Sequence, residues 1–236
     1  MIRYRPAASR GRSHSDWLDS AHSFSFADYQ DPEAMGFGSL RVINDDLIGP
    51  AAGFPMHPHR DMEIITYVLS GRLEHRDSMG NGSIIGAGDV QMMCAGTGVR
   101  HSEWNPSASE AVHLLQIWVL PPRRDLPPAY GQRHFPAAAK QGRWCAIAGG
   151  RAGDALPLHQ DLRLLATLLN GADVLDYTCA ADRQVYLQVA RGHLELNEHP
   201  LQAGDGVAIT GPTSLRLHHA LAAEVLLFDM AAPTPG

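Results

Sequence analysis

The chain has 236 residues, 44% of them hydrophobic and 19% charged, with a net charge of −6. That composition supports a packed core and excludes a disordered polyelectrolyte. The acidic balance and the lack of a long basic run argue against nucleic-acid binding.

Glycine (23 residues) and proline (16) punctuate short apolar runs, the texture of an all-β chain. Strands are expected at residues 39–43, 63–69, 72–76, 90–93 and 112–120. Met79-Gly80-Asn81-Gly82 reads as a hairpin turn, because Asn-Gly takes the positive φ angles of a type I′ turn. Residues 121–128, with their prolines and charges, read as a linker. A second strand-rich block follows at 162–169, 183–190, 194–196, 206–210 and 224–228.

The two blocks repeat one another. Gly192-His193-Leu194-Glu195 echoes Gly71-Arg72-Leu73-Glu74, Ala203-Gly204-Asp205 echoes Ala87-Gly88-Asp89, and Glu224-Val225-Leu226-Leu227 echoes Val112-His113-Leu114-Leu115. The offsets shrink in order, from 121 to 116 to 112, as shorter loops in the second copy would give. The pattern predicts a tandem repeat of one β-barrel unit. Moving His57 and His59 forward by the first offset lands on Thr178 and Ala180, and the counterpart of His101 falls near Leu215 or Arg216. His218 and His219 are adjacent, so a regular strand would send them to opposite faces and form no clamp.

The first block carries the chemistry. His57-Pro58-His59 and His101-Ser102-Glu103 are two i, i+2 pairs. In a strand such residues share a face with Cα atoms ~6.6 Å apart, so two facing strands can aim four side chains at one ion. Imidazole with carboxylate suits a first-row transition metal. Glu63 shares parity with the first pair and is open as a further ligand or as a partner that orients an imidazole. Ile65, Tyr67 and Met93 are expected to shape the pocket, His75 to be structural, His113, in an apolar strand, to be core, and Cys94 to be a buried free thiol. No H-E-x-x-H helix, Gly-x-Ser-x-Gly elbow or phosphate-binding glycine loop occurs.

Cys94, Cys145 and Cys179 are widely spaced with no C-x-x-C unit, so a reducing compartment is expected. Residues 1–16 lack an apolar h-region, and no apolar run reaches the ~20 residues of a membrane span. The expectation is a cytoplasmic protein with no membrane contact, and a monomer, since the duplication already gives each barrel a partner.

His57-x-His59-x-x-x-Glu63 followed by Gly71 resembles the first motif of the cupin superfamily, and Gly88, His101 and Asn105 resemble the second. Cys94 replaces the usual proline, and two extra residues precede His101. These departures resemble those of the pirin family. Its matching stretches are residues 17–26 (WLDSAHSFSF), 40–46 (LRVINDD), 57–63 (HPHRDME), 74–81 (EHRDSMGN), 95–103 (AGTGVRHSE) and 224–229 (EVLLFD). Within that family the resemblance is to the bacterial pirin-like quercetin 2,3-dioxygenase group.

The resemblance implies a bicupin, two tandem antiparallel barrels of the double-stranded β-helix type, with a metal-binding barrel at 1–125 and a degenerate barrel without ligands at 126–236. It implies His57, His59, His101 and Glu103 as metal ligands, which moves the carboxylate from Glu63 to Glu103, and Glu103 as catalytic base. The implied ion is Fe(II), with Ni, Cu, Co, Mn or Zn also accepted by such donors. The implied reaction is O2-dependent cleavage of an enolic aromatic substrate such as quercetin, with release of CO. The rival reading is a non-enzymatic, metal- or redox-sensing regulator acting through a protein partner.

Overall fold

The structure, a computed structural model, describes residues 1–150, 153 and 155–233. In chain order the strands are β1 (Ile2–Arg5), β2 (Gly11–His14), β3 (Leu18–His22), β4 (Leu40–Ile48), β5 (Gly53–His59), β6 (Glu63–Ser70) and β7 (Arg72–Asp77). They continue as β8 (Gly82–Gly86), β9 (Asp89–Cys94), β10 (Val99–Trp104), β11 (Val112–Val119) and β12 (Ala129–His134). After one helical turn, α1 (Ala137–Lys140), come β13 (Cys145–Gly149), β14 (Leu162–Leu169), β15 (Leu175–Cys179), β16 (Arg183–Leu196), β17 (His199–Gln202), β18 (Gly206–Thr210) and β19 (Thr213–Ala231). The fold is all-β and antiparallel throughout its named ladders, as expected.

The chain divides into two compact units: Gly11–Phe135, and Pro136–Gly236 joined by Met1–Arg10. This differs from a split after residue 125. The first ten residues belong with the second unit because β1 pairs with β18, with Ile2 opposite Ile209. Residues 121–128 are irregular as expected, yet they lie within the first unit, because β12 returns to pair with β9.

The repeat is visible in the strand orders. In the first unit β12-β9-β6-β11-β4-β3-β2 form one sheet and β5-β10-β7-β8 another. The second unit runs β1-β18-β16-β19-β14-β13, with β15 on β19 and β17 on β16. Term by term, β1 stands for β12, β18 for β9, and β14 for β4. The single strand β16 does the work of β6 and β7, and β19 that of β10 and β11. The repeated glycine explains the join: Gly71 (φ +77) and Gly192 (φ +70) both turn the chain from one arm to the next. A Cβ at Gly71 would stand 2.6 Å from Ala111 O, and one at Gly192 2.3 Å from Ala222 O, so neither site admits a side chain.

The hairpin between β7 and β8 is built differently from the Asn-Gly expectation. Gly80 (φ +92), not Asn81, takes the left-handed conformation. Asp77 Oδ1 accepts the backbone N–H groups of Met79 (2.9 Å) and Asn81 (3.0 Å), closing the turn by side chain.

Candidate metal centre and its cavity

β5 and β10 are antiparallel neighbours, and their register sets His101 directly opposite His57. His59 shares the face of His57 through the two-residue period of the strand. Ring centroids lie 4.8 Å apart for His57–His59, 4.4 Å for His57–His101 and 4.8 Å for His59–His101. One nitrogen from each ring lies within 4.8 Å of the other two. His57 Nδ1 is 2.7 Å from Pro55 O. A carbonyl only accepts, so Nδ1 carries the proton and Nε2 keeps its lone pair.

His101 is 1% exposed, and both its ring nitrogens are buried without a hydrogen-bond partner. Leaving such groups unpaired costs roughly 1–3 kcal/mol each, and an ion supplies a missing partner. Burial, then the charges of His101 and His57, lowers the His59 pKa to about 4. Burial, then His57 and His75, lowers that of His101 to about 3. Both rings are therefore neutral at neutral pH, the form a metal requires. The donor set fits a divalent transition ion.

Glu103 follows His101 across a register shift in the β5–β10 ladder. It is buried and lines the same cavity, but its carboxylate is held by the Gln116 side chain, whose Nε2 donates to Oε1 at 2.9 Å and Oε2 at 2.8 Å. Thr66 Oγ1 fixes that amide by donating to Gln116 Oε1 at 3.0 Å. Glu103 is not among the donors that converge with the three imidazoles. Nor is Glu63: Asp61 (φ +49) breaks the strand between His59 and Glu63, so shared parity does not carry across the turn. Glu63 instead starts β6 opposite Cys94, fully buried. Burial and then the Glu63 carboxylate push the Cys94 thiol up.

A cavity of about 300 Å³ opens beside the imidazoles, at the low end of the roughly 300–1,000 Å³ usual for small-molecule sites. Leu18, Phe26, Phe54 and Trp118 give it apolar walls; the Trp118 ring meets His59 edge to face at 5.0 Å. Ile65, Tyr67 and Met93 do not line it. Thr66, one residue out of phase on β6, faces Glu103, so Ile65 and Tyr67 lie on the other face of that strand.

A polar wall escaped the sequence reading. Ser20 and His22 on β3, and Asn44 and Asp46 on β4, all line the cavity. His22 Nδ1 donates to Asn44 Oδ1 at 2.8 Å, leaving Nε2 to accept the Ser13 hydroxyl at 2.8 Å. The Ser20 hydroxyl donates to Asp46 Oδ1. Burial drives the Asp46 carboxyl up to about 7; the Ser20 hydroxyl opposes this, and the charges of Glu103 and Asp45 add to it. The signal was present as two i, i+2 pairs of polar residues inside family-like stretches.

The remaining expectations resolve locally. His75 is fully buried, bonded to Asp77 Oδ2 at 3.2 Å and Gln91 Nε2 at 3.1 Å, and structural as expected. His113 is not core: it is half-buried and pairs with Asp45 Oδ1 at 2.6 Å. Cys94 is a buried free thiol. Asn105 pins three carbonyls, those of Ile48, Gly49 and Glu110, at 3.1, 3.0 and 2.8 Å.

Paired antiparallel barrels of one strand order, one of them with histidines clustered on facing strands, define a cupin-type protein. The Pirin family model matches residues 4–119, and one described as the quercetinase C-terminal cupin domain matches residues 147–230. The chain belongs to the pirin family. It is 46% identical over 230 residues to the quercetin 2,3-dioxygenase of Escherichia coli (strain K12), covering 98% of this chain and 99% of that one. It superposes on the crystal structure of YhhW from Escherichia coli with a TM-score of 0.94 at 44% identity, covering 100% of both chains. Against the bacterial pirin YhhW in complex with nickel(II) the TM-score is 0.93 at 45% identity, covering 99% of this chain and 100% of that one. The chain is thus a quercetin 2,3-dioxygenase-like member of the family. Among the described residues no helix is long and apolar enough to cross a membrane.

Proposed function

We propose that the protein is a metal-dependent dioxygenase that opens the ring of a flavonol, or of a similar aromatic enol with adjacent hydroxyl and carbonyl oxygens. The observation that carries this is the convergence of His57, His59 and His101 on one cavity with apolar walls. The overall change is flavonol plus O2 to a ring-opened ester plus CO. His57, His59 and His101 hold the ion, with Glu103 as fourth ligand or adjacent base. Iron(II) is the first ion to test, with nickel(II) beside it because of the YhhW complex. The bound ion supplies Lewis acidity to the substrate oxygens.

The chain's own residues do the rest. Leu18, Phe26, Phe54 and Trp118 cover the flat faces of the rings and exclude water. Glu103 takes the proton of the enolic hydroxyl on a carboxylate oxygen, and the Gln116 amide holds that carboxylate in place meanwhile. The polar wall of Ser20, His22, Asn44 and Asp46 meets hydroxyl groups at the far end of the substrate.

Anaerobic loading with iron(II) or nickel(II), then O2 and quercetin, tests the reading through flavonol loss and CO release. His57→Ala is expected to abolish both. Equal turnover by that variant rejects the assignment, and metal binding without turnover in the native protein returns it to the regulator class.

A further inference from the structure

We propose that Glu195, His218 and His219 form a second metal site, on the solvent-facing side of the unit containing Pro136–Gly236, for a borderline divalent ion such as Zn(II), Ni(II) or Cu(II). The site is independent of the His57 cluster and of the dioxygenase reading.

A regular strand would keep the two adjacent imidazoles apart. Here β19 is bulged. His193 pairs with Leu221 and Glu195 with His218, so two steps along β16 are matched by three along β19. His219 takes up the extra residue in the left-handed region (φ +51), an uncommon conformation for a residue with a side chain. The bulge swings its ring onto the same side as His218, with centroids 4.4 Å apart. Glu195 stands directly across the ladder.

The donor atoms then meet. His218 Nδ1 and His219 Nδ1 are 3.0 Å apart, and Glu195 Oε2 is 3.1 Å from the latter and 3.9 Å from the former. An ion held tetrahedrally at ~2.0–2.1 Å separates its donors by roughly 3.3–3.4 Å, inside the span of these three distances. The tautomer is right as well. His218 Nε2 lies 2.5 Å from Asn197 O, which can only accept, so Nε2 carries the proton and Nδ1 offers a lone pair. A backbone carbonyl fixing the distal nitrogen is the usual support of a metal-bound imidazole. Two nitrogens and one carboxylate favour a transition ion over Mg or Ca. The side chains are 19%, 72% and 38% exposed for His218, His219 and Glu195, so an ion can enter from solvent and water can complete its shell.

The test is Zn(II) titration of tag-free, full-length protein, followed by calorimetry and by metal analysis after dialysis. The native protein should bind two equivalents. A His57→Ala/His101→Ala protein should retain one, which shows that this site does not depend on the first. His219→Ala and Glu195→Gln should lose the other, with affinity down at least tenfold, while keeping the metal-free melting temperature of the native protein. His134→Ala, a histidine on the other unit, should still bind two. No equivalent bound by the His57→Ala/His101→Ala protein, or a stoichiometry unchanged from the native protein in both His219→Ala and Glu195→Gln, overturns the proposal.

Discussion

The two units share a strand order but differ in what fills them. In the second unit one continuous apolar core occupies the barrel, including Leu187, Val207, Leu215, Leu217 and Leu227. In the first lie two smaller apolar clusters, one around Val68, Leu73 and Ile85, another around Ile64, Met93 and Val99. The first unit also holds a cavity, with imidazoles, Glu103, Gln116 and Asp46 on its walls. The ladder that sets His57 against His101 in one unit sets Tyr177 against Leu215 in the other. A duplicated barrel can therefore keep its backbone plan while one copy turns its interior to chemistry and the other to cohesion.

The largest expected effect lies at the hollow barrel. Disrupting a group that orients a metal ligand typically costs 10–100-fold in affinity or activity. Removing an imidazole itself, as in His101→Ala, should exceed that, so metal analysis after dialysis should find the first site empty. If His101→Ala still loads there, the barrels differ less than their interiors suggest.

Leucine truncation sharpens the contrast. Leu215→Ala leaves a hole in a closed core and should cost about 4 kcal/mol in urea unfolding, within the ~2–5 kcal/mol range for such changes. Leu18→Ala only widens an existing cavity and should cost less than about 1.5 kcal/mol. Equal costs would erase the distinction between filled and hollow.

The smallest effect is a pH slope. The folded pKa of Asp46, about 7, lies above the ~3.9 of an unfolded chain. Between those values the unfolded chain has released the proton and the folded chain keeps it, so stability falls as pH rises from about 4 to about 7 and is level beyond. Asp46→Asn should flatten that slope in metal-free protein and raise stability at pH 8 by about 2 kcal/mol, less than the full shift implies because solvent reaches the cavity. A slope unchanged by the substitution would show that this wall is not buried as described.

Much of this was legible in the sequence, and the reasons are specific. Strands with apolar residues on one or both faces, such as β6, β14 and β18, stand out as runs. Edge strands do not: β12 has intermediate and exposed residues throughout, and β1 and β2 are four residues each, so no apolar alternation marks them. The imidazole pairs were legible because His-x-His in a strand shares a face. The Glu63 parity argument failed at a positive φ on Asp61, and the expectation that His218 and His219 diverge failed at a positive φ on His219. Neither is a glycine, so residue type marks either bend only weakly, through the enrichment of Asp and His at positive φ. The glycines of the repeat, Gly71 and Gly192, are the opposite case, where the residue type announces the turn.

The pairing of β1 with β18 also sets an order of events during synthesis. Residues 2–5 leave the ribosome about 200 residues before their partners, residues 206–209. The intervening unit can collapse in the meantime, while β1 waits with an unsatisfied edge. A chaperone or an aggregating neighbour meets that edge before its own sheet does.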